Sequence, residues 1–134
     1  MNMIKEKIPC KCISHTIRYQ FESSIREGNA DLVTVEMFQN NVQFNAFEFK
    51  LTDVKKVILQ AKGNIPFVHK SWIVIPLEKK NLIIDKYTNI LDELKHIGVI
   101  VVSETGNWKM IYKPVFNTKI RMNQVILKLM LRNI

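Results

Sequence analysis

Cysteine is scarce in this 134-residue chain: Cys10 and Cys12 are the only two, and they form a single Cys-x-Cys. A structural zinc site takes about four ligands. The three histidines, His15, His69 and His96, show no paired spacing, so the thiols read as free in a reducing compartment. Glycine and proline, four of each, are scattered, and no internal repeat or linker is visible. Long apolar runs are missing as well. The longest, such as Gly98 to Val102, fall far short of the roughly 20 residues that span a bilayer. The N-terminal segment is charged and is interrupted by Pro9, which argues against a secretory signal. A cytoplasmic protein with no membrane segment is the expectation.

What is present is the ordinary globular mixture, 47% hydrophobic and 24% charged. That excludes a disordered tail or a fibrous repeat and predicts one compact domain over residues 1–134, with a core that needs no staple. Twenty Lys and Arg against twelve Asp and Glu leave a net charge of +8. Such a balance suits nucleic acid or another polyanion. Sixteen of the twenty cations are Lys, however, and an AT-rich coding sequence gives the same bias. After Glu104 no acidic residue follows, while Lys109, Lys113, Lys119, Arg121, Lys128 and Arg132 do. A one-sided basic tail of this kind contacts phosphates or forms a solvated helix face.

Residues 16–24 alternate, with Ile17, Tyr19 and Phe21 on the apolar side and Arg18, Gln20 and Glu22 on the polar side, the pattern of a half-buried strand. Arg26-Glu27-Gly28-Asn29 is a turn, residues 30–37 form a second strand, and Gln39-Asn40-Asn41 turns into a third over 44–51. From Thr52, read as an N-cap, the period becomes helical through Val54, Val57, Ile58 and Ala61 to Gly63. Ser71–Ile75 is a short strand. Tyr87, Ile90, Leu91 and Leu94 mark a second helix, Gly98–Val102 a buried strand, Trp108–Tyr112 an edge strand, and Met122 to Met130 a last helix. Antiparallel strands followed by strand–helix–strand crossovers predict an α/β fold, a mixed central sheet flanked by helices.

Strand three carries the chemistry. Glu48 and Lys50, two apart, share one face, while Phe47, Phe49 and Leu51 take the other, expected to be the buried one. Charges in an apolar strand cost stability unless paired or bound to an ion. Asp31, at the start of strand two, lies beside strand three in the expected hairpin. Two carboxylates with an ammonium beside them suit Mg²⁺, which takes oxygen ligands and leaves positions for water and a phosphate oxygen. An exposed salt bridge from Glu48 to Lys50 or to the neighbouring strand accounts for the same triplet. Two further placements have bland counterparts. Trp72 and Trp108 are stacking platforms for bases or core residues; Glu36, in the opposite phase from Asp31, is an ordinary solvent or ion-pair residue.

Asp31-Leu-Val-Thr-Val, a turn, and Ala46-Phe-Glu-Phe-Lys-Leu-Thr-Asp-Val-Lys-Lys-Val-Ile-Leu-Gln-Ala61 together resemble the PD-(D/E)xK nuclease superfamily, the restriction-endonuclease-like fold. Ser71-Trp-Ile-Val-Ile-Pro76 and Ile97-Gly-Val-Ile-Val-Val102 look like the later strands of its Holliday-junction-resolvase-type branches, so the likeness covers roughly residues 16 to 112. It implies Asp31 and Glu48 as metal ligands, Lys50 as the catalytic lysine and Gln60 as the helix glutamine that helps place the substrate. The cofactor implied is Mg²⁺, with Mn²⁺ as a substitute.

Two positions depart from the family. Its first helix, bearing a further Glu, is truncated here to residues that offer only Glu6, leaving Glu22 to stand in, and Ala30 replaces the proline before the motif Asp. Lys55 and Lys56 fall where DNA phosphates would pass, or on a plain exposed helix face. The expectation is a metal-dependent DNA endonuclease acting as a homodimer. Its alternatives are a nuclease-fold nucleic-acid-binding module that has lost a ligand, and an interaction subunit in which Glu48–Lys50 is only a surface ion pair.

Overall fold

A computed structural model of the chain describes residues 15–131, the side chains of 15–17, 38 and 130 excepted. The expectations placed on Cys10, Cys12, Glu6 and Arg132 lie outside these residues. Six strands form one open mixed sheet in chain order: β1 (His15–Ser23), β2 (Ala30–Phe38), β3 (Asn41–Phe49), β4 (Lys70–Pro76), β5 (Ile97–Val102) and β6 (Trp108–Tyr112). β1, β2 and β3 make an antiparallel meander, β3, β4 and β5 run parallel, and β6 closes the edge antiparallel to β5. The parallel pairs are joined by α1 (Val54–Asn64) and by a helical run that begins with a 3-10 turn at Leu77–Lys79, passes through a π turn at Ile83–Tyr87 and ends as α2 (Thr88–Leu94). The last helix, α3, is Gln124–Leu131. This is the expected α/β architecture. Among the described residues, no helix is long and apolar enough to cross a membrane.

The described helices bury their apolar residues against one face of the sheet. Val54, Val57, Ile58 and Ala61 of α1, with Ile83 and Leu91, meet Ile73, Ile75, Ile97, Val99 and Val101. Ile126 and Leu129 of α3 meet Val33, Val35, Phe44 and Ala46. Strand register shows that these strand residues lie on the same side, since Val33 pairs with Ala46, Ala46 with Ser71 and Ser71 with Ile97.

That assignment inverts two readings made from alternation. In β3 the helix-covered side is that of Phe44, Ala46 and Glu48; on the other side Phe47 is buried as expected, whereas Phe49 and Leu51 are 44% and 76% exposed. In β1, Tyr19 and Phe21 stand on the face away from the described helices, 57% and 64% exposed, and pack edge to face. Alternation identifies two faces without saying which is covered by helices, and Tyr19, Phe21 and Phe49 lie on the other one. Boundaries shifted too. The helix cap is Asp53, whose carboxylate accepts the Lys56 N–H at 3.0 Å, and not Thr52. β3 begins and ends two or three residues earlier than expected, at Asn41 and Phe49, so Lys50 lies just beyond it.

On the second face Phe21, Leu32, Phe47, Trp72 and Gly98 form one transverse row. Trp72 stacks on Phe47 at 6.2 Å and donates its indole N–H to Asn45. It also lies over Gly98, where an added Cβ would meet Trp72 Cε3 and Cζ3 at 2.6 Å and Pro114 Cδ at 2.8 Å. Neither ring is free to swing away. Gly98→Ala is therefore expected to destabilise the fold by about 1–3 kcal/mol, read as a lower urea midpoint at constant slope.

His69, just before β4, sits between Phe44 and Phe116, with ring centroids 5.1 and 4.5 Å away. Its Nδ1 accepts the Phe44 backbone N–H at 2.8 Å, so the neutral ring carries its proton on Nε2. Burial holds its pKa below the ordinary 6.5. The unfolded chain then binds a proton that the fold refuses, and the stability His69 contributes above pH 6.5 is lost as pH falls through and below that value. Wild type should show a falling melting temperature between neutrality and about pH 5, and His69→Gln should lack that component of the fall.

Candidate functional site

The two carboxylates expected to converge lie on facing strand positions. Leu32 pairs with Phe47, which places Asp31 opposite Glu48 one step further along, on the helix-covered face. Asp31 Oδ2 accepts the Phe49 backbone N–H at 2.9 Å, fixing the start of β2 to the end of β3. Its charge is close enough to push the Glu48 pKa up further.

Glu48 is wholly buried and is not part of a surface pair. Its ionic partner is Arg26, from the β1–β2 turn, with Nη2 3.0 Å from Oε2. Asn64, the last residue of α1, donates its amide to the same Oε2 at 2.8 Å and accepts from Arg26 Nε at 2.6 Å. Arg26, Glu48 and Asn64 thus close a three-membered ring drawn from a turn, a strand and a helix end. The other carboxylate oxygen, Glu48 Oε1, is buried with no hydrogen-bond partner. Burial raises the Glu48 pKa above its ordinary 4.5, the bonds from Asn64 and Arg26 oppose the rise, and Asp31 adds to it.

Lys50 follows Glu48 by two residues and donates its backbone N–H to Val74 O at 3.2 Å, carrying the β3–β4 pairing one residue past the strand. Its side chain is half-buried. A cavity of about 420 Å³ opens beside it at the carboxyl ends of β3, β4 and β5, lined by Phe49, Leu51, Val74, Pro76 and Val102 among others. That is where open α/β sheets receive ligands. Asp31 and Glu48 do not line this cavity.

Gln60 lies one helical turn before Asn64, and its Oε1 is a second buried acceptor without a donor. Lys55 and Lys56 are both exposed on the first turn of α1. Glu22 lies between Phe21 and Ser23, whose partners Leu32 and Ala30 flank Asp31; it is exposed, with a left-handed backbone (φ 50°). Among the described residues, no three His, Cys, Asp or Glu side chains gather as a metal site, so the acidic cluster is the pair Asp31–Glu48 without Glu22. Trp72 is a packed residue of the second face, and Glu36 lies near Lys70 on that face.

Arg26 and Asn64 were not anticipated. The only sequence signal for Arg26 is its type: it is one of four arginines in a chain that otherwise uses lysine, and a guanidinium makes forked bonds that an ammonium does not. Compared with known proteins, the chain matches no protein-family model and no curated protein.

Proposed function

We propose that this chain is a metal-dependent DNA endonuclease of the nuclease type that its motifs resemble, acting in the cytoplasm. The observation that carries the reading is the buried, donorless Glu48 Oε1 on the strand position opposite Asp31. Asp31 Oδ1 likewise accepts no hydrogen bond from a described residue, its Oδ2 being taken by Phe49 N–H. A buried anionic oxygen left without a donor, facing a second carboxylate across the strand pair, fits a hard cation such as Mg²⁺. Bound there, the ion would supply charge neutralisation at the scissile phosphate and activation of the attacking water.

The residues of the chain do the rest. Asp31 and Glu48 would hold the ion, and Lys50, two residues on from Glu48, would orient the phosphate and offset the charge that builds on it. Gln60 would help seat the substrate, while the exposed Lys55 and Lys56 would meet the backbone on either side. The net charge of +8 favours this partner. Cutting both strands would need two such sites, which a homodimer provides.

A second reading, a nuclease-fold nucleic-acid-binding or interaction module without cleavage, is favoured by one observation: the Arg26 guanidinium already balances the Glu48 charge. Incubating the purified protein with supercoiled plasmid and with labelled oligonucleotides, with Mg²⁺, with Mn²⁺ and with EDTA, separates the two. Cation-dependent nicking is the expected result. Retained binding with no cleavage under either ion would establish the module instead, and neither binding nor cleavage at low salt would leave an interaction role.

A further inference from the structure

Two of the chain's four glycines clear space for Arg26. A Cβ at Gly63 would come within 3.2 Å of Arg26 Cδ and 3.5 Å of Nε, and a Cβ at Gly28 within 3.1 Å of Nη1. Gly63 is the penultimate residue of α1, where alanine would favour the helix by roughly 1 kcal/mol. The slot therefore exists at a local cost, and the side chain it holds is 13% exposed. Within it the guanidinium is fixed on three sides: Nη1 donates to Glu27 O at 2.9 Å, Nε to Asn64 Oδ1 and Nη2 to Glu48 Oε2. The Asn64 amide is fixed in turn, because its oxygen must face Arg26 and its nitrogen Glu48.

We propose that Arg26 and Asn64 are positioning residues: by taking Glu48 Oε2 from two directions they lock the carboxylate so that Oε1 alone is presented to the cation. The inference rests on the nuclease reading and deepens it. A buried carboxylate with both oxygens free to rotate would present neither in a fixed place, and partners that orient a ligand are worth about 10–100-fold in metal affinity. Charge alone does not perform this role. A lysine at 26 would keep a cation near Glu48 but has no planar fork to bond Glu48 and Asn64 together.

Arg26→Lys and Gly63→Ala test the role without deleting the charge; Gly63→Ala leaves Arg26 in the chain but crowds its slot. Each is compared with wild type in two measurements: Mn²⁺ binding by calorimetry without DNA, and plasmid nicking as a function of metal concentration. Both variants should melt cooperatively, bind Mn²⁺ about tenfold more weakly and need correspondingly more metal for half-maximal nicking. Their rates at saturating metal should stay within about threefold of wild type, a split that mere loss of folded protein does not produce.

Should one variant fail to melt cooperatively, the other decides. Unchanged metal affinity in a folded variant, with wild type nicking normally, would overturn the positioning role and leave the nuclease intact. Wild type that neither binds Mn²⁺ nor nicks would overturn both.

Discussion

Lys50→Ala is expected to lower plasmid nicking at saturating Mg²⁺ by about 10²–10³-fold while the melting temperature barely moves. Lys50 lies past the end of β3, its side chain is half-buried, and its backbone N–H, which bonds Val74 O, survives the substitution. Little folding energy is therefore tied up in the ammonium. Glu48→Gln should be as damaging to nicking but not silent in stability, because it leaves Arg26 without a counter-charge. The pH dependence of wild type follows from Glu48. Burial raises its pKa above 4.5, Asn64 and Arg26 opposing and Asp31 adding to the rise. Holding a cation requires the ionised form, so protons compete with the metal at Glu48, and lowering the pH should raise the metal concentration needed for half-maximal nicking. A metal requirement that does not change as the pH falls would remove Glu48 from the chemistry, and nicking by Lys50→Ala at the wild-type rate would remove Lys50.

Arg26→Met is expected to cost about 3–5 kcal/mol, a large share of the roughly 5–15 that holds a domain of this size together. It strands a wholly buried carboxylate and leaves Asn64 Oδ1 without its donor. Adding Glu48→Leu to that background removes the stranded charge and should recover much of the loss. The two substitutions should then be non-additive in urea unfolding, by about 1–3 kcal/mol. Strict additivity would mean that the pair is not coupled in the fold. The Glu48 contribution also has a definite pH sign, opposite to that of His69. Its proton is bound more tightly in the fold than in the open chain, so its stabilisation is fully present below pH 4.5 and is lost as pH rises through the raised value. In Glu48→Leu that component of the pH dependence should be gone.

Much of the architecture was legible because period and order are local properties. The change from period two to the helical spacing of Val54, Val57, Ile58 and Ala61 announces α1, and the strand–helix–strand order that follows dictates parallel pairing. Which side of a strand is covered is not local. It depends on where α1 and α3 dock, and here the docking covers the side that carries Glu48; Phe47 is buried on the other side, while Phe49 and Leu51, expected beside it, are exposed. The Asp31–Glu48 juxtaposition was readable because hairpin register is nearly forced once both strands are recognised. The ring around Glu48 was not readable. Arg26 lies in a turn whose sequence signals only a reversal of direction, and Asn64 resembles an ordinary helix terminator. Nothing in either pattern says that they meet.

The spans across that ring are long: 22 residues from Arg26 to Glu48, 16 from Glu48 to Asn64 and 38 from Arg26 to Asn64. Closing it requires the meander to be paired and α1 to have docked on it, so no isolated hairpin or helix can assemble even part of the arrangement. The fixed orientation of Glu48 is thus a late event in folding, with little of it present in a nascent or partly opened chain. The contacts that hold Glu48 in place therefore form together with the fold and not ahead of it.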